Sequence, residues 1–125
     1  MNALERKREL KMQLKTNIKR PLFVDIDTVF FFAGLETPHI RPVDLALMFQ
    51  VLNRLCGQAK RQKKPLSVAT IELQALIPFL DIRKIRRSMK LLRDYGIVKC
   101  ELKKKRYNKL KLDWKRLEVL ARQVR

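Results

Sequence analysis

The sequence predicts a mainly α-helical fold that contains a small β-hairpin. Residues 43–59 and 82–95 place apolar side chains at the 3.6-residue spacing of amphipathic helices. After Gly96 the apolar spacing changes to two, as in strands, and a KKKR sequence separates two such alternating segments. With 125 residues, 46% of them hydrophobic, the chain is long enough for one domain with its own core.

The first forty residues are predicted to form an extension of that domain. Residues 2–19 lack Pro and Gly and carry an apolar stripe of Leu10, Leu14 and Ile18, so we expect a helix there. Residues 22–32 are rich in β-branched and aromatic side chains, which favours an extended segment or strand. Because the Phe30–Phe32 run must be covered by the core or by a second subunit, we predict a homodimer that uses residues 1–40 as its dimerisation arm.

Residues 41–125 are predicted to form the main domain, with residues 43–59 as its central core helix. Pro42 stands near the start of this helix, and Gly57 weakens its last turn. Its apolar stripe consists of Leu45, Met48, Phe49, Leu52 and Leu55.

A short strand and a short helix are expected next. Leu66–Ala69 is the candidate strand, and Thr70 is a candidate N-cap for a helix over 71–77 that Pro78 ends.

The following helix has signals at both ends. Asp81 is the predicted N-cap of residues 82–95, and Gly96 supplies the left-handed position after the helix. Its inner side is formed by Ile82, Ile85, Met89 and Leu92.

A hairpin and a last helix complete the chain. Val98, Cys100 and Leu102 alternate with polar residues, as Leu110 and Leu112 do on the return strand. Since the tip lacks the Asn-Gly of a tight turn, we expect a longer, mobile loop. Asp113 is the predicted cap of a helix over 114–123, with Trp114, Leu117 and Leu120 on its inner side.

The order of helix, short strand, short helix, turn, helix and hairpin over about residues 43–113 resembles the winged helix-turn-helix family. The sequence LLRDYGIVKC, where the second helix passes into the hairpin, carries much of the resemblance. It implies that residues 82–95 enter the major groove of DNA and that the hairpin is a wing on a neighbouring groove or on the backbone. Pro78 and the first forty residues depart from the family pattern.

The charge distribution favours a polyanionic partner independently of that resemblance. Lys and Arg number 30 against 12 Asp and Glu, a net charge of +18. Residues 61–125 hold 20 of the basic residues and six of the acidic ones, and they keep their hydrophobic periodicity, so the charge belongs to a folded surface. Double-stranded DNA is therefore the predicted partner, ahead of an anionic membrane.

The candidate DNA-binding residues fall into two groups. One group lies opposite the apolar side of the second helix: Arg83, Lys84, Arg86, Arg87 and Lys90. The other lies on the predicted wing: Lys103, Lys104, Lys105, Arg106 and Lys109.

The sequence offers little material for catalysis. Asp25 and Asp27 would share one face of a strand but lack a third metal ligand. His39 is a loop residue, Cys56 and Cys100 are expected to be buried reduced thiols, and the three isolated glycines form no phosphate-binding loop. We expect no enzymatic activity, metal, cofactor or small-molecule substrate.

The chain lacks an apolar run long enough to span a membrane and a signal-peptide pattern at its start, so we expect a cytoplasmic protein, associated with the nucleoid in a bacterium. The leading functional hypothesis is sequence-specific DNA binding, in transcriptional regulation or in replication or partition of a plasmid or phage. The alternatives are an RNA- or ribosome-associated basic protein and a winged-helix module that binds proteins.

Overall fold

The computed structural model describes residues 26–124, which form five helices and a three-stranded antiparallel sheet. The helices are α1 (Ile26–Ala33), α2 (Pro42–Arg61), α3 (Thr70–Leu76), α4 (Ile82–Asp94) and α5 (Trp114–Val124). The strands are β1 (Leu66–Ala69), β2 (Val98–Lys103) and β3 (Arg106–Leu112), in the order β1-β3-β2. The fold is therefore mixed α/β, because β1 adds a third strand to the predicted hairpin.

Helix α2 is the centre of the core, as its apolar stripe predicts. Pro42 occupies the first turn, where its missing N–H is not needed. Gly57 does not end the helix, which continues to Arg61, two residues beyond the predicted end. The buried side chains of the predicted stripe are Leu45, Met48, Phe49, Leu52 and Leu55.

The prediction of an extended segment over residues 22–32 is wrong where the structure describes it, because residues 26–33 form helix α1. Strand propensity depends on packing, and a helix allows Phe32 to become fully buried with its ring centroid 5.9 Å from that of Phe49. Asp27 therefore lies in a first helical turn rather than on a strand. Residues 2–19 and Asp25 lie outside the described residues.

The two ends of α4 follow their sequence signals. The Asp81 carboxylate accepts a hydrogen bond from the Lys84 N–H at 2.9 Å. At the other end Gly96 has a φ of +78°, and the N–H groups of Gly96 and Ile97 donate to the carbonyls of Arg93 and Leu92. This Schellman motif turns the chain directly into β2.

The cap predicted for α3 is displaced by one residue. Thr70 is the first helical residue, and Ala69 holds the N-cap position. The Ala69 N–H donates to the Glu72 carboxylate at 3.0 Å, so the acidic side chain satisfies the helix start.

The hairpin turn differs from its prediction. Lys104 and Lys105 form a tight two-residue turn, with φ values of +50° and +61°. Positive φ at both positions is typical of a type I′ turn, which sequence rules assign to Asn-Gly. Further along β3, the pairing register with β2 shifts between Lys99 and Glu101, and Lys109 has a φ of +51°, which marks a β-bulge.

Helix α5 closes one side of the core. The Asp113 carboxylate accepts from the Arg116 N–H at 3.0 Å, which confirms the predicted cap. Leu120 is buried and Leu117 partly so, whereas Trp114 packs edge-on against Phe49, with ring centroids 6.0 Å apart, and is still 58% exposed. The Arg116 side chain donates to the Tyr95 carbonyl at 2.8 Å and so joins α5 to the end of α4.

Both cysteines are free thiols that are only partly buried, which corrects the prediction of fully buried ones. Within residues 26–124, none of the helices is long and apolar enough to cross a membrane.

Candidate nucleic-acid interface

The inner side of α4 fixes which of its residues face outward. Ile85, Met89 and Leu92 are completely buried in the core, whereas Ile82 is partly exposed. The buried Ser88 hydroxyl donates to the Lys84 carbonyl at 2.8 Å, so it needs no partner from another element. With this side held in the core, the helix cannot rotate about its axis.

The outer face of α4, defined as Arg83, Arg86, Arg87 and Lys90, is exposed along its length. Lys84 beside it is half-exposed. Within residues 26–124, Arg86, Arg87 and Lys90 form no ion pair, although several other basic side chains there do. The only acidic residue in the helix is Asp94, at its end. A cationic face of this kind, two turns long, is suited to phosphates and to guanine edges.

An exposed aromatic residue precedes the outer face. Phe79 lies in the turn between α3 and α4 and is 73% exposed. Ile71, in α3, is 51% exposed. No periodic signal in the sequence marks Phe79, because it belongs to no helix or strand and stands between Pro78 and the buried Leu80.

The hairpin tip, defined as Lys103–Arg106, presents three exposed lysines in succession. Left-handed backbone costs a residue with a Cβ about 1 kcal/mol, and Lys104 and Lys105 both adopt it. An Asn-Gly pair would form the same turn with less strain. Lys104 and Lys105 therefore occupy turn positions in which they reduce the stability of the fold.

Arg106, the fourth predicted residue of the tip, is engaged inside the protein. Its guanidinium lies 2.8 Å from the Glu72 carboxylate, and it donates to the Ser67 hydroxyl at 3.2 Å and to the Ser67 carbonyl at 3.3 Å. The Glu72 side chain is 1% exposed. Arg106 thus joins β1, β3 and the start of α3, and its charge is compensated within the fold rather than left for a phosphate.

The remaining lysines of the hairpin differ in whether a nearby carboxylate neutralises their positive charge. The Lys109 ammonium is 3.6 Å from the Glu101 carboxylate, with both side chains largely exposed, so this pair is weak. Lys99 pairs with Asp113 at 3.0 Å. Lys103 and Lys111 are exposed, and neither belongs to an ion pair within residues 26–124.

The end of α4 lies beside strand β2. Burial raises the pKa of the Cys100 thiol in β2, and the positive charge of Arg93 in α4 partly opposes that rise. Helix α4 and strand β2 are also in direct contact, so the helix and the hairpin belong to one continuous body.

The outer face of α4 and the hairpin tip supply cations and hydrogen-bond donors. Burial raises the pKa of the Cys56 thiol to about 11, so this cysteine stays protonated at neutral pH and is a poor nucleophile.

Comparisons with protein-family models, curated protein sequences and solved structures found no match to this chain.

Proposed function

We propose that this chain is a winged helix-turn-helix protein that binds double-stranded DNA in a sequence-dependent manner. In this proposal α3 and α4 are the helix-turn-helix, α4 is the recognition helix and the β2–β3 hairpin is the wing. The element order and the antiparallel pairing of β1 with β3 support this assignment.

The observation that carries the proposal is the cationic outer face of α4. A solvated helix surface usually mixes charges of both signs, because opposite charges at i, i+4 stabilise it. Here Arg83 and Arg87 stand four residues apart with Lys90 beyond them, so like charges repel along the surface. A polyanion removes that repulsion and releases its own counterions on binding.

The test is equilibrium binding of the full chain to duplex DNA at several salt concentrations. Sites selected from a random duplex library should bind more tightly than the unselected library, and log affinity should fall linearly with log salt. Selection that yields no enriched sequence would overturn the sequence-dependent part. Affinity that does not depend on salt would overturn phosphate contact altogether.

The biological process is proposed at the level of class: transcriptional regulation, or replication or partition of a plasmid or phage, in the cytoplasm.

A second candidate function, binding of single-stranded RNA, is favoured by one observation. Phe79 is a solvent-exposed ring beside the cationic helix, and exposed aromatic side chains stack on unpaired bases. Phe79→Ala should leave duplex affinity within about threefold, since the loss of one stacked base costs about 1–3 kcal/mol only where stacking occurs. A loss of more than tenfold confined to single-stranded RNA would favour the second function.

We also propose a homodimer that uses the exposed side of α1. Phe32 belongs to the core, but Ile26 and Phe30 are 64% and 65% exposed and lie one helical turn apart. Sedimentation equilibrium of the full chain should give a dimer that Phe30→Ser converts to a monomer. A wild-type monomer at tens of micromolar would overturn this proposal.

A further inference from the structure

A cleft lies between the second half of α2 and the sheet, away from the outer face of α4. Its volume is about 470 Å³, within the range of small-molecule sites. The apolar residues that line it are Cys56, Ala59, Leu66, Leu110, Leu112 and Trp114. Cys56 donates a weak hydrogen bond to the Leu110 carbonyl, with sulfur and oxygen 3.8 Å apart, so its thiol is partnered and the wall is effectively apolar.

Four lysines surround this apolar floor. Lys60 and Lys64 come from the end of α2 and the loop after it, and Lys109 and Lys111 come from β3. Among residues 26–124, none of those that line the cleft is acidic. Of the four lysines, only Lys109 forms an ion pair within the described part of the chain, with the Glu101 carboxylate at 3.6 Å, so the rim keeps a positive charge. An apolar floor with a cationic rim complements a molecule with an apolar body and one anionic end.

Gly57 lies on the cleft wall, inside helix α2. A Cβ at position 57 would have no heavy atom within 4 Å, and the φ angle of Gly57 is not positive. The fold therefore does not require glycine at this position. Glycine inside a helix costs about 1 kcal/mol relative to alanine. Its presence leaves the α2 backbone open to close contact from the cleft.

A neighbouring apolar depression on the other side of Trp114 has the opposite charge. Phe31 and Leu117 line it together with Asp27 and Glu118, and none of the lining residues in the described range 26–124 is basic. An anion therefore has an electrostatic preference for the first cleft.

We propose that the cleft between α2 and β3 binds a free medium-chain aliphatic carboxylate. The alkyl chain of this ligand would pack on Leu110, Leu112 and Trp114, and its carboxylate would lie among the rim lysines. Binding of this ligand goes beyond DNA binding and does not depend on it.

Trp114 is the only tryptophan of the protein and lines the cleft, so its fluorescence reports occupancy. The full chain is titrated with sodium decanoate below its micellar concentration, and decylamine and decanol serve as matched cationic and neutral probes. Decanoate should change the Trp114 emission saturably and at least about tenfold more tightly than decylamine. Equal affinity for decylamine would overturn the proposal.

Two variants locate the binding. Gly57→Phe adds a ring to the cleft wall and should weaken decanoate binding by about tenfold or more. The double variant Lys60→Gln/Lys64→Gln removes half of the rim lysines without changing the core, and it should weaken decanoate binding severalfold. The control double variant Lys104→Gln/Lys105→Gln, on the hairpin tip, should leave decanoate binding unchanged. Circular dichroism confirms that each variant is folded. Unchanged affinity in the Lys60/Lys64 variant overturns the proposal, even if Gly57→Phe does not fold.

Discussion

The Arg106 guanidinium and the Glu72 carboxylate form a 2.8 Å ion pair in which the glutamate is almost completely buried. Arg106 begins the return strand of the hairpin, and Glu72 caps the start of α3. One interaction therefore fixes the position of the hairpin relative to α3. This constraint orients the lysines of the hairpin tip with respect to the helices.

Loss of this pair should be costly because it leaves a buried carboxylate without its cation. Arg106→Ala is expected to reduce the free energy of unfolding by on the order of 3 kcal/mol, measured by urea denaturation. Lys111→Ala, in the same strand, exposed and without a positive φ, is the matched control and should change it by less than about 0.5 kcal/mol. Equal, small effects of the two substitutions would show that the ion pair is dispensable.

The caps of α4 and α5 predict the direction of acid sensitivity. Hydrogen bonding from the Lys84 N–H lowers the pKa of Asp81, and bonding from the Arg116 N–H and the Lys99 ammonium lowers the pKa of Asp113. A lowered carboxyl pKa contributes stability that is present above the unfolded-state value of about 3.9 and is lost as pH falls through the folded-state value. Stability should therefore decrease between about pH 5 and pH 2.

The matched variant for this prediction is Asp81→Asn with Asp113→Asn. Asparagine is also a good N-cap, but it does not titrate. The difference in unfolding free energy between wild type and variant should be largest near pH 6 and shrink towards pH 2. A difference that stays constant over this range would exclude the two caps as the source of the pH dependence.

The turn at the hairpin tip predicts that stability and binding respond in opposite directions. Replacing Lys104-Lys105 with Asn-Gly keeps the backbone but relieves strain, so we expect stability to rise by about 1–2 kcal/mol. Duplex affinity should fall on all sequences alike, and the slope of log affinity against log salt should shrink by up to about 0.9 for each phosphate that the tip no longer binds. A more stable variant with unchanged affinity would mean that the tip only solubilises the protein.

Those elements of the fold that depend on local signals can be predicted from the sequence. Helix α4 is predictable between Asp81 and Gly96 because its cap, its apolar period and its terminating glycine agree. The hairpin turn cannot be predicted in the same way. The rule for tight turns assumes residues that adopt a positive φ easily, whereas two lysines adopt it here.

Contacts between residues distant in sequence are what the sequence does not reveal. Nothing near Arg106 indicates that Glu72 will be buried beside it, so the run of four cations resembles one exposed cluster. Helix α1 is a similar case, because contact between Phe32 and Phe49 outweighs the strand propensity of its residues. The basic outer face of α4 is predictable because it is simply the complement of the apolar side.

The roles of helix and hairpin in the proposed complex can be separated by comparing specific with non-specific affinity. Arg87 is exposed on the outer face of α4, and an arginine there is suited to bidentate contact with guanine. Arg87→Ala should cost about 1–3 kcal/mol on the selected site and less on random duplex, which lowers the ratio of the two affinities. Stability should hardly change, because the side chain makes no ion pair within residues 26–124.

The comparison variant is Lys103→Ala with Lys104→Ala and Lys105→Ala, which leaves the structural Arg106 in place. This variant removes positive charge but no proposed contact with a base. Affinity should therefore fall for both kinds of duplex, and the ratio of specific to non-specific affinity should be nearly preserved. Fluorescence anisotropy on the selected site and on a scrambled duplex, at matched salt, measures both ratios. If Arg87→Ala preserves the ratio and the lysine variant abolishes it, then the hairpin reads the sequence and α4 holds the backbone, the reverse of the proposed roles.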